Sequence, residues 1–358
     1  MNRVHNFSAG PAVLPLEVLQ EAQHDLVDYK GSGLSVMEMS HRSPEYRAII
    51  DAANARLKKI MKLDDDFEVL FIQGGASLQF YMAPLNLCPP EKTANYIDTG
   101  NWSSTAAKES KKIGRKTEII ASSKDKNYTY IPKDFTLTKD AAYLHYTTNN
   151  TIAGTQFKYI PDVDVPLISD MSSDFLSAPM DFNKFSLIYG GAQKNVGPAG
   201  CGVVAIRKSM MKNANKNLPT MVSYQTYIDK GSMHNTPPTF TIYMIGLVLS
   251  WIEKLGGLAA VEQMNIEKAK IIYDLLDSSD FYRGTVVKED RSLMNIPFRL
   301  PTVELEQQFI DESKSAKMFN LKGHRSVGGC RASIYNAMPK SSVQFLVDFM
   351  KKFEMDNR

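Results

Sequence analysis

A single lysine, Lys194, lies among small residues in the stretch LIYGGAQKNVGPAG, which runs from Leu187 to Gly200. An apolar run ends at Gly190 and Gly191 shortly before it. A lysine amine that is partly removed from water has a lowered pKa, and its neutral form is a nucleophile. Glycines also let a backbone approach a phosphate, as in nucleotide-binding loops. The stretch therefore indicates either a nucleophilic amine, around which the glycines clear space, or a phosphate loop.

The common nucleotide-binding patterns do not fit this chain. A P-loop places Ser or Thr directly after its Gly-Lys pair, whereas Asn195 follows Lys194, and no strand pattern precedes Gly-x-Gly-x-x-Gly. A different anion site is indicated by IQGGASLQF, in which Gly74, Gly75 and Ser77 lie between a strand pattern and a helix pattern. Backbone N–H groups at a helix N-terminus bind phosphate, although a plain strand–helix turn accounts for the same residues.

A carboxylate, Asp170, directly follows an apolar run in LISDMSS. A buried carboxylate needs a cationic or hydrogen-bonding partner, unless it caps a helix, a role that Ser172 or Ser173 could also fill. Pyridoxal phosphate requires a lysine, a carboxylate beside its ring nitrogen and a phosphate cradle. Trp102, which follows a strand pattern in DTGNW, could stack on a flat cofactor ring. The combination indicates a site for that cofactor.

Two His-Arg pairs indicate the charge of the substrate. MSHRSPEY contains His41 and Arg42, and KGHRSVGGCRAS contains His324, Arg325 and Arg331. Arginine side chains bind carboxylate and phosphate groups through paired hydrogen bonds, although any one of these residues could be a solvated surface group. The pattern favours an anionic substrate with more than one acidic group.

The composition is typical of an enzyme-sized protein that binds neither nucleic acid nor membrane. The 358 residues are 43% hydrophobic and carry a net charge of +3, with both signs mixed along the chain. The N-terminal stretch lacks the apolar core of a signal peptide, and no apolar run reaches the length of a membrane span. Cys88, Cys201 and Cys330 are widely spaced, which predicts a reducing, cytoplasmic location without disulfides or a metal site.

Helical patterns alternate with short apolar runs, which predicts an α/β fold with a mostly parallel central sheet. Ser43 is the expected N-cap of a helix that begins at Pro44, and a further helix is expected over STAAKESKKIG, residues 104–114. The apolar stretch TFTIYMIGLVLSWIEKLGG is expected to be a buried helix.

The pattern changes to long helices after about Gly256. We therefore expect a large cofactor-binding domain over residues 14–260 and a small C-terminal domain over residues 261–358, with residues 1–13 packing near the small domain.

Polar residues cluster where the predicted strands end. In open α/β sheets, ligands bind at the carboxyl ends of the strands, so these residues are expected to share one cleft. The clusters are Gln73–Gly75, Asp98–Trp102, Thr147–Thr151, Asp170–Ser173 and Gly190–Lys194.

The chain resembles the class V branch of the fold-type I pyridoxal-phosphate enzymes in motifs that occur in order from residue 6 to about residue 337. These motifs are NFSAGPAVLP, MSHRS, GGASLQF, GNWS, NNTIAGTQF, SDMSSDF, YGGAQKNVGPAG, HNTPPTF and GHRSVGGCRASIYNA. The resemblance implies a homodimer whose active sites lie at the subunit interface. It also implies reversible amino transfer between L-glutamate and 3-phosphohydroxypyruvate, giving 2-oxoglutarate and O-phospho-L-serine in serine biosynthesis. The 4-phosphohydroxythreonine reaction of vitamin B6 synthesis stays open as a further activity.

The resemblance assigns roles to the cofactor-binding residues. Lys194 would bond to the cofactor aldehyde and move the proton, and Asp170 would keep the ring nitrogen protonated. Trp102 would stack on the ring, and Thr151 would hydrogen-bond the phenolic oxygen. The cofactor phosphate would be held by Ala76, Ser77 and Gln193, together with Asn235 and Thr236 of the partner subunit.

The resemblance also implies a substrate site. Arg42 and Arg331 would bind the carboxylate and phosphate ends of the substrate, and Ser8 would add a backbone contact. The remaining residues of this anion site would be His41, His324 and Arg325.

Three alternatives remain at this point. A cysteine desulfurase of the same fold needs a reactive cysteine on a mobile loop, and Cys330 is the candidate, although the adjoining strand pattern favours a packed thiol. A class V transaminase for alanine or serine and glyoxylate is disfavoured by the basic loops. A nucleotide-binding or structural α/β protein would lack the cofactor altogether.

Overall fold

The computed structural model describes residues 3–358 and contains both helices and strands throughout. The helices are α1 (Leu16–His24), α2 (Pro44–Met61), α3 (Ala76–Leu87), α4 (Asn101–Lys112), α5 (Tyr224–Asp229), α6 (Thr239–Lys254), α7 (Leu258–Ser278), α8 (Val303–Ser315) and α9 (Lys340–Asn357). The strands are β1 (His5–Asn6), β2 (Phe67–Gln73), β3 (Thr93–Asp98), β4 (Lys116–Ser122), β5 (Ala141–Thr147), β6 (Leu167–Asp170), β7 (Leu187–Gly191), β8 (Cys201–Arg207), β9 (Arg283–Gly284), β10 (Asn295–Arg299), β11 (Met318–Phe319) and β12 (Cys330–Ser333).

The central sheet has seven strands in the order β2-β8-β7-β6-β5-β3-β4. Strand β8 runs antiparallel to both of its neighbours, and the remaining pairs from β7 to β4 are parallel. The predicted α/β fold with a mostly parallel sheet is therefore confirmed. Strands β2, β3, β5, β6 and β7 all end at one edge of this sheet, where β8 begins at Cys201.

Helices cover both faces of the central sheet, which explains why its strands are apolar on both sides. Val69 and Phe71 of β2 lie in a buried cluster with residues of α2 and α6. The alternate residues Leu70 and Ile72 lie in a second cluster with residues of α3 and α4. Successive side chains of a strand point to opposite faces, so one strand contributes to both clusters.

Helix α2 begins as the sequence predicts. Pro44 is its first residue, and the Ser43 hydroxyl accepts a hydrogen bond of 3.2 Å from the Tyr46 N–H. The buried side chains recur at the helical period and pack on the sheet; they are Tyr46, Ile49, Ile50, Ala53, Leu57 and Met61.

Helix α4 begins earlier than the expected range of residues 104–114 and also ends earlier, since it spans Asn101–Lys112. The Ser103 hydroxyl accepts hydrogen bonds from the N–H groups of Thr99 and Gly100, at 2.9 and 3.0 Å, and this contact fixes the early start. Trp102 consequently lies in the first helical turn rather than in the preceding loop.

The C-terminal part has its own antiparallel sheet, in the order β12-β10-β9, and its own apolar cluster. Phe7 joins this cluster, and β1 pairs with β11. Helix α7 contributes Leu258 to the cluster of α2 and α6, and Ile272 to the C-terminal cluster. The proposed division at residue 260 thus falls inside α7; the boundaries stay a prediction, and residues 1 and 2 lie outside the described part of the chain.

Helix α6 is buried along most of its length, as expected from its apolar sequence. Among residues 3–358, no single helix is long and apolar enough to cross a bilayer. Helices α6 and α7 pass that test only as a pair, and they are bent by 85° at the break between them.

Replacing Ser43 with Ala should lower the free energy of unfolding by about 1 kcal/mol, because the N–H of Tyr46 loses its side-chain acceptor. Chemical denaturation followed by circular dichroism measures this change. Ser43→Thr keeps a hydroxyl at the N-cap and should stay close to the wild type. An unchanged stability in Ser43→Ala would contradict the role of the cap.

Candidate active site

A cavity of about 230 Å³ lies at the edge of the central sheet where the parallel strands end. Its walls come from the segments that follow β2, β5, β6 and β7, and from the first turns of α3 and α4. Seven of the residues singled out in the sequence line it: Ala76, Ser77, Trp102, Thr151, Asp170, Gln193 and Lys194. The expected convergence of strand ends on one cleft therefore occurs for these residues.

The amine of Lys194 is partly buried beside the end of β7. Its Nζ donates a hydrogen bond of 2.9 Å to the Thr151 hydroxyl. Burial lowers the pKa of Lys194 from 10.5 to about 8; the negative charge of Asp170 opposes this shift, and the positive charge of Arg331 adds to it. A substantial fraction of the amine is therefore neutral near physiological pH, and the neutral amine is the nucleophile.

Asp170 presents one free carboxylate oxygen to the cavity. Its Oδ1 accepts hydrogen bonds from the N–H and the hydroxyl of Ser172, at 2.9 and 2.6 Å, whereas Oδ2 accepts none from residues 3–358. Burial raises the pKa of Asp170, and the Ser172 bonds and the charge of Lys194 oppose that rise. No helix follows β6, since the next residues form turns, so Asp170 is not a helix cap. Its Oδ2 is available to a donor in the cavity.

The N-terminus of α3 offers backbone N–H groups to an anion. Gly75 is its N-cap residue, and no side chain caps the helix. Ser77, in the first turn, is exposed and adds a hydroxyl. A Cβ on Gly191 would lie 3.7 Å from the Ala76 nitrogen, and one on Gly190 would lie 3.2 Å from the Phe175 ring. Gly190 therefore makes room for the Phe175 ring rather than for the amine as expected, whereas the distance at Gly191 is an ordinary van der Waals contact that does not require glycine.

Trp102 forms one wall of the cavity from the first turn of α4. Its ring packs against Phe80, with the ring centroids 6.4 Å apart. The turn is fixed by Asp98, whose Oδ1 accepts hydrogen bonds from the hydroxyls of Ser103 and Ser104 at 2.9 and 2.7 Å. The contact with Phe80 and the hydrogen bonds of Asp98 thus hold the indole at the cavity, where it can stack on a flat ligand ring.

Arg331 reaches the same region from β12. Its side chain is buried, and one terminal N–H of the guanidinium donates a hydrogen bond of 3.0 Å to the carbonyl of Thr151. Its Nε is buried without a hydrogen-bond partner among residues 3–358. His324 lies near Arg331 and Arg325: burial lowers the pKa of His324, and both positive charges lower it further. An unpaired buried guanidinium donor is suited to an anionic ligand.

Eight predicted site residues do not line the cavity of their own chain: Ser8, His41, Arg42, Asn235, Thr236, His324, Arg325 and Arg331. The Thr236 hydroxyl is hydrogen-bonded to His41 Nδ1 at 3.2 Å, and the Thr236 carbonyl accepts a hydrogen bond of 2.8 Å from Gln73 Nε2. Arg42 and Asn235 are exposed. In one subunit these residues do not line the cavity that holds Lys194.

The segment around Ser8 lies beside the cavity rather than in its wall. The Ala12 N–H donates a hydrogen bond of 2.8 Å to the Gln193 carbonyl, and the Ser8 hydroxyl accepts one of 3.3 Å from the Gly10 N–H. The N-terminal segment is therefore attached directly to the residue before Lys194.

Sequence reasoning missed two groups of the site. The Ser172 hydroxyl joins Asp170 to the Gly191 N–H, at 2.6 and 3.1 Å, and so ties the ends of β6 and β7 together. Asn149 lines the cavity, and its Nδ2 donates hydrogen bonds of 2.8 Å to both Ser173 Oγ and Asn295 Oδ1. Both lie in polar clusters that were expected to share the cleft, but no individual role was predicted for Asn149, and the role named for Ser172 was that of a helix cap.

Cys330 is a packed thiol, as the adjoining strand pattern predicted. It is buried in β12, and burial raises the pKa of its thiol to about 12. A thiol that stays protonated at neutral pH is a poor nucleophile, which argues against a cysteine desulfurase.

The groups around the cavity fit pyridoxal phosphate at three separate points. The Lys194 amine can bond to its aldehyde, the unpaired Asp170 Oδ2 can accept from its ring nitrogen, and the uncapped N-terminus of α3 can bind its phosphate. All three line one cavity, and the Trp102 ring, which lines the same cavity, is available as a stacking surface.

Comparison with known proteins agrees with this chemistry. Residues 4–346 match the family model of aminotransferase class-V. The phosphoserine aminotransferase of Desulfosudis oleivorans is 53% identical over 357 residues, covering 99% of each chain. That of Bacillus subtilis strain 168 is 52% identical over 359 residues, covering 100% of each chain.

Solved structures give the same result. The phosphoserine aminotransferase of Bacillus circulans subsp. alkalophilus superposes with a TM-score of 0.98 at 52% identity, covering 99% of both chains. The phosphoserine aminotransferase of Trichomonas vaginalis, solved with bound pyridoxal phosphate, has a TM-score of 0.93 at 40% identity and covers 98% of this chain and 100% of that one.

Acylation of Lys194 in the cofactor-free protein should rise with pH around a midpoint of about 8, the lowered pKa of its amine. Asp170→Asn should move this midpoint to lower pH, because the negative charge that favours the protonated amine is lost. Peptide mass spectrometry after reaction at a series of pH values measures the midpoint. The surface variant Asp134→Asn should leave it in place, and a midpoint in Asp170→Asn that is unchanged or higher would contradict the coupling.

Proposed function

The chain belongs to the aminotransferase class-V family, among the phosphoserine aminotransferases, and we propose that it transfers an amino group between L-glutamate and 3-phosphohydroxypyruvate. The products are 2-oxoglutarate and O-phospho-L-serine, as serine biosynthesis requires. The enzyme is a pyridoxal-phosphate-dependent transaminase. The observation that carries the proposal is the amine of Lys194, with its pKa lowered to about 8, in one cavity with the unpaired Oδ2 of Asp170.

The cofactor would be held at each end by different groups. Asp170 Oδ2 would accept from the ring nitrogen, Thr151 would bond the phenolic oxygen, and Trp102 would stack on the ring. Its phosphate would be bound by Ala76, Ser77 and Gln193 of one subunit, with Asn235 and Thr236 of the partner subunit. When bound, the cofactor supplies an electron sink that stabilises negative charge at the α-carbon of the substrate.

Lys194 would serve as the general base and acid. Its Nζ would take the proton from the substrate α-carbon and return it to the carbon that accepts the amino group. A base works best when its pKa lies near the operating pH, which favours an amine with a pKa of about 8. The Thr151 hydroxyl, 2.9 Å from Nζ, would orient the amine.

The basic residues would select substrates with two acidic ends. Arg331, with its unpaired Nε, would bind one end, Arg325 would extend the positive region, and His324, whose pKa is lowered, would contribute a neutral imidazole. Arg42 and His41 of the partner subunit would complete it. Glutamate and 3-phosphohydroxypyruvate each carry a second anionic group, whereas alanine, serine and glyoxylate do not.

Assembly and location belong to the same proposal. We place two subunits in a homodimer with shared active sites, in which His41, Arg42, Asn235 and Thr236, which do not line the cavity of their own chain, would complete that of the partner subunit. We place the enzyme in the cytoplasm, because its three cysteines are free and buried.

An assay of the purified enzyme with glutamate and 3-phosphohydroxypyruvate should give 2-oxoglutarate and phosphoserine. The dephosphorylated analogue should react much more weakly, since it leaves part of the basic region unpaired.

Lys194→Ala should keep cofactor without covalent fixation by borohydride and should lose roughly 10²–10⁴-fold in turnover, as loss of a general base does. Lys108→Ala, on the exposed face of α4, is the control. Turnover in Lys194→Ala near that of the wild type would disprove the assignment.

Hybrid dimers should show that the sites are shared. Lys194→Ala and the double variant N235A/T236A should each be weak as pure dimers, the first through loss of the base and the second through loss of cofactor phosphate contacts. In a hybrid of the two, one site draws Lys194 from one subunit and both phosphate contacts from the other, so activity should return. Hybrids separated by two affinity tags can be assayed directly. A hybrid no more active than its parents would place Asn235 and Thr236 outside the partner's site.

A further inference from the structure

Lys268 of α7 is a buried cation without a carboxylate partner. The residue is 1% exposed, and no ion pair to it occurs among residues 3–358. Its Nζ instead donates to three consecutive backbone carbonyls, those of Ile334, Tyr335 and Asn336, at 3.0, 2.7 and 3.2 Å. An ammonium carries three donors, so this arrangement uses all of them.

The position of these carbonyls explains why a lysine is needed. The segment Ile334–Asn336 has left β12 at Ser333 and has not yet entered α9 at Lys340, so no regular element pairs its carbonyls. An apolar side chain at position 268 would leave the carbonyls of Ile334 and Asn336 without donors, which is costly, whereas the Tyr335 carbonyl would keep the N–H of Met338 at 2.9 Å. Burial lowers the pKa of Lys268 to about 7, whereas the three carbonyl acceptors favour its protonated form.

The same segment contacts the backbone around Lys194. The Asn336 N–H donates 3.0 Å to Oδ1 of Asn195, the residue directly after Lys194. Asn195 in turn donates 3.3 Å to the carbonyl of Ser173, which lines the cavity. All of these groups are buried, so water does not compete for the bonds.

A second contact runs to the N-terminal segment. The Tyr335 hydroxyl donates a hydrogen bond of 2.7 Å to the carbonyl of Ala9. In the same N-terminal segment, the Ala12 N–H donates a hydrogen bond of 2.8 Å to the carbonyl of Gln193. Hydrogen bonds therefore connect both Gln193 and Asn195, the residues before and after Lys194, to the segment whose carbonyls Lys268 binds.

We propose that Lys268 is a positioning residue, whose ammonium fixes the segment Ile334–Asn336 and through Asn195 holds Lys194 in its catalytic orientation. This inference rests on the role of Lys194 proposed above. It assigns Lys268 no contact with substrate or cofactor.

Lys268→Met tests the proposal, since it keeps most of the side-chain volume and removes the donors. In the holoenzyme, turnover should fall by about tenfold or more, as displacement of a reacting group does. The pH at which the visible absorption of the bound cofactor changes should also shift, since that absorption reports how Lys194 meets the cofactor. Lys270→Met is the matched control on the same helix, because Lys270 is exposed and pairs with Asp274 at 2.7 Å.

Asn195→Ala keeps the proposal testable where Lys268→Met fails to fold. It cuts the link to Lys194 and leaves the three carbonyls of Lys268 paired. It should lower turnover and shift the absorption change in the same way, and the double variant should be no worse than the more affected single variant, because both act through one link.

Two results would overturn the inference. One is a folded Lys268→Met that loses thermal stability but keeps the turnover and absorption profile of the wild type, which would make the lysine structural only. The other is an Asn195→Ala enzyme with wild-type turnover and absorption. An inactive wild-type enzyme would instead count against the proposed substrates, and the absorption of bound cofactor would still decide the role of Lys268.

Discussion

The interaction between two charges removed from water determines the chemistry of this site. Burial drives Asp170 and Lys194 toward their neutral forms, raising the pKa of the acid and lowering that of the amine to about 8. Each group favours the charged form of the other, so neither titrates independently. Both effects require that the two residues lie at neighbouring strand ends, and the parallel pairing of β6 with β7 provides this. Small displacements between those strands would therefore change the reactivity of the amine.

Much of the surrounding structure prevents such displacements. Ser172 connects the ends of the two strands, and Gly190 lets the Phe175 ring pack closely against the end of β7. On the other side, Asn149 and Asn295 join the end of β5 to β10 of the C-terminal sheet at 2.8 Å. These bonds are buried and directional, so they specify one arrangement of the two parts rather than add general stability. The catalytic edge of the sheet is thus held by polar contacts, while apolar clusters hold its two faces.

The sequence predicted the elements of this fold better than the contacts between them. The Ser43 cap follows from signals that neighbouring residues carry. The convergence of Lys194 with the other strand ends follows from the rule for parallel sheets. The antiparallel direction of β8 and the bridge formed by Ser172 depend on pairing between distant segments, which no local pattern encodes. The early start of α4, which moves Trp102 into a helix, depends on the Ser103 hydroxyl, a cap that acts from inside the helix. A contact between subunits, such as the one proposed for Thr236, cannot be read from one chain at all.

The position of Arg331 would couple substrate binding to the basicity of Lys194 under the proposed roles of these two residues. Its positive charge lowers the pKa of the amine, and it is held near that amine by the Thr151 carbonyl, while Thr151 also receives the hydrogen bond from Lys194. An anion bound to the unpaired Nε of Arg331 would cancel part of this positive field. The amine would then become more basic when an anionic substrate is present, which is when a proton has to be removed from carbon. The same arginine would therefore keep the amine available as a nucleophile before binding and strengthen it as a base afterwards.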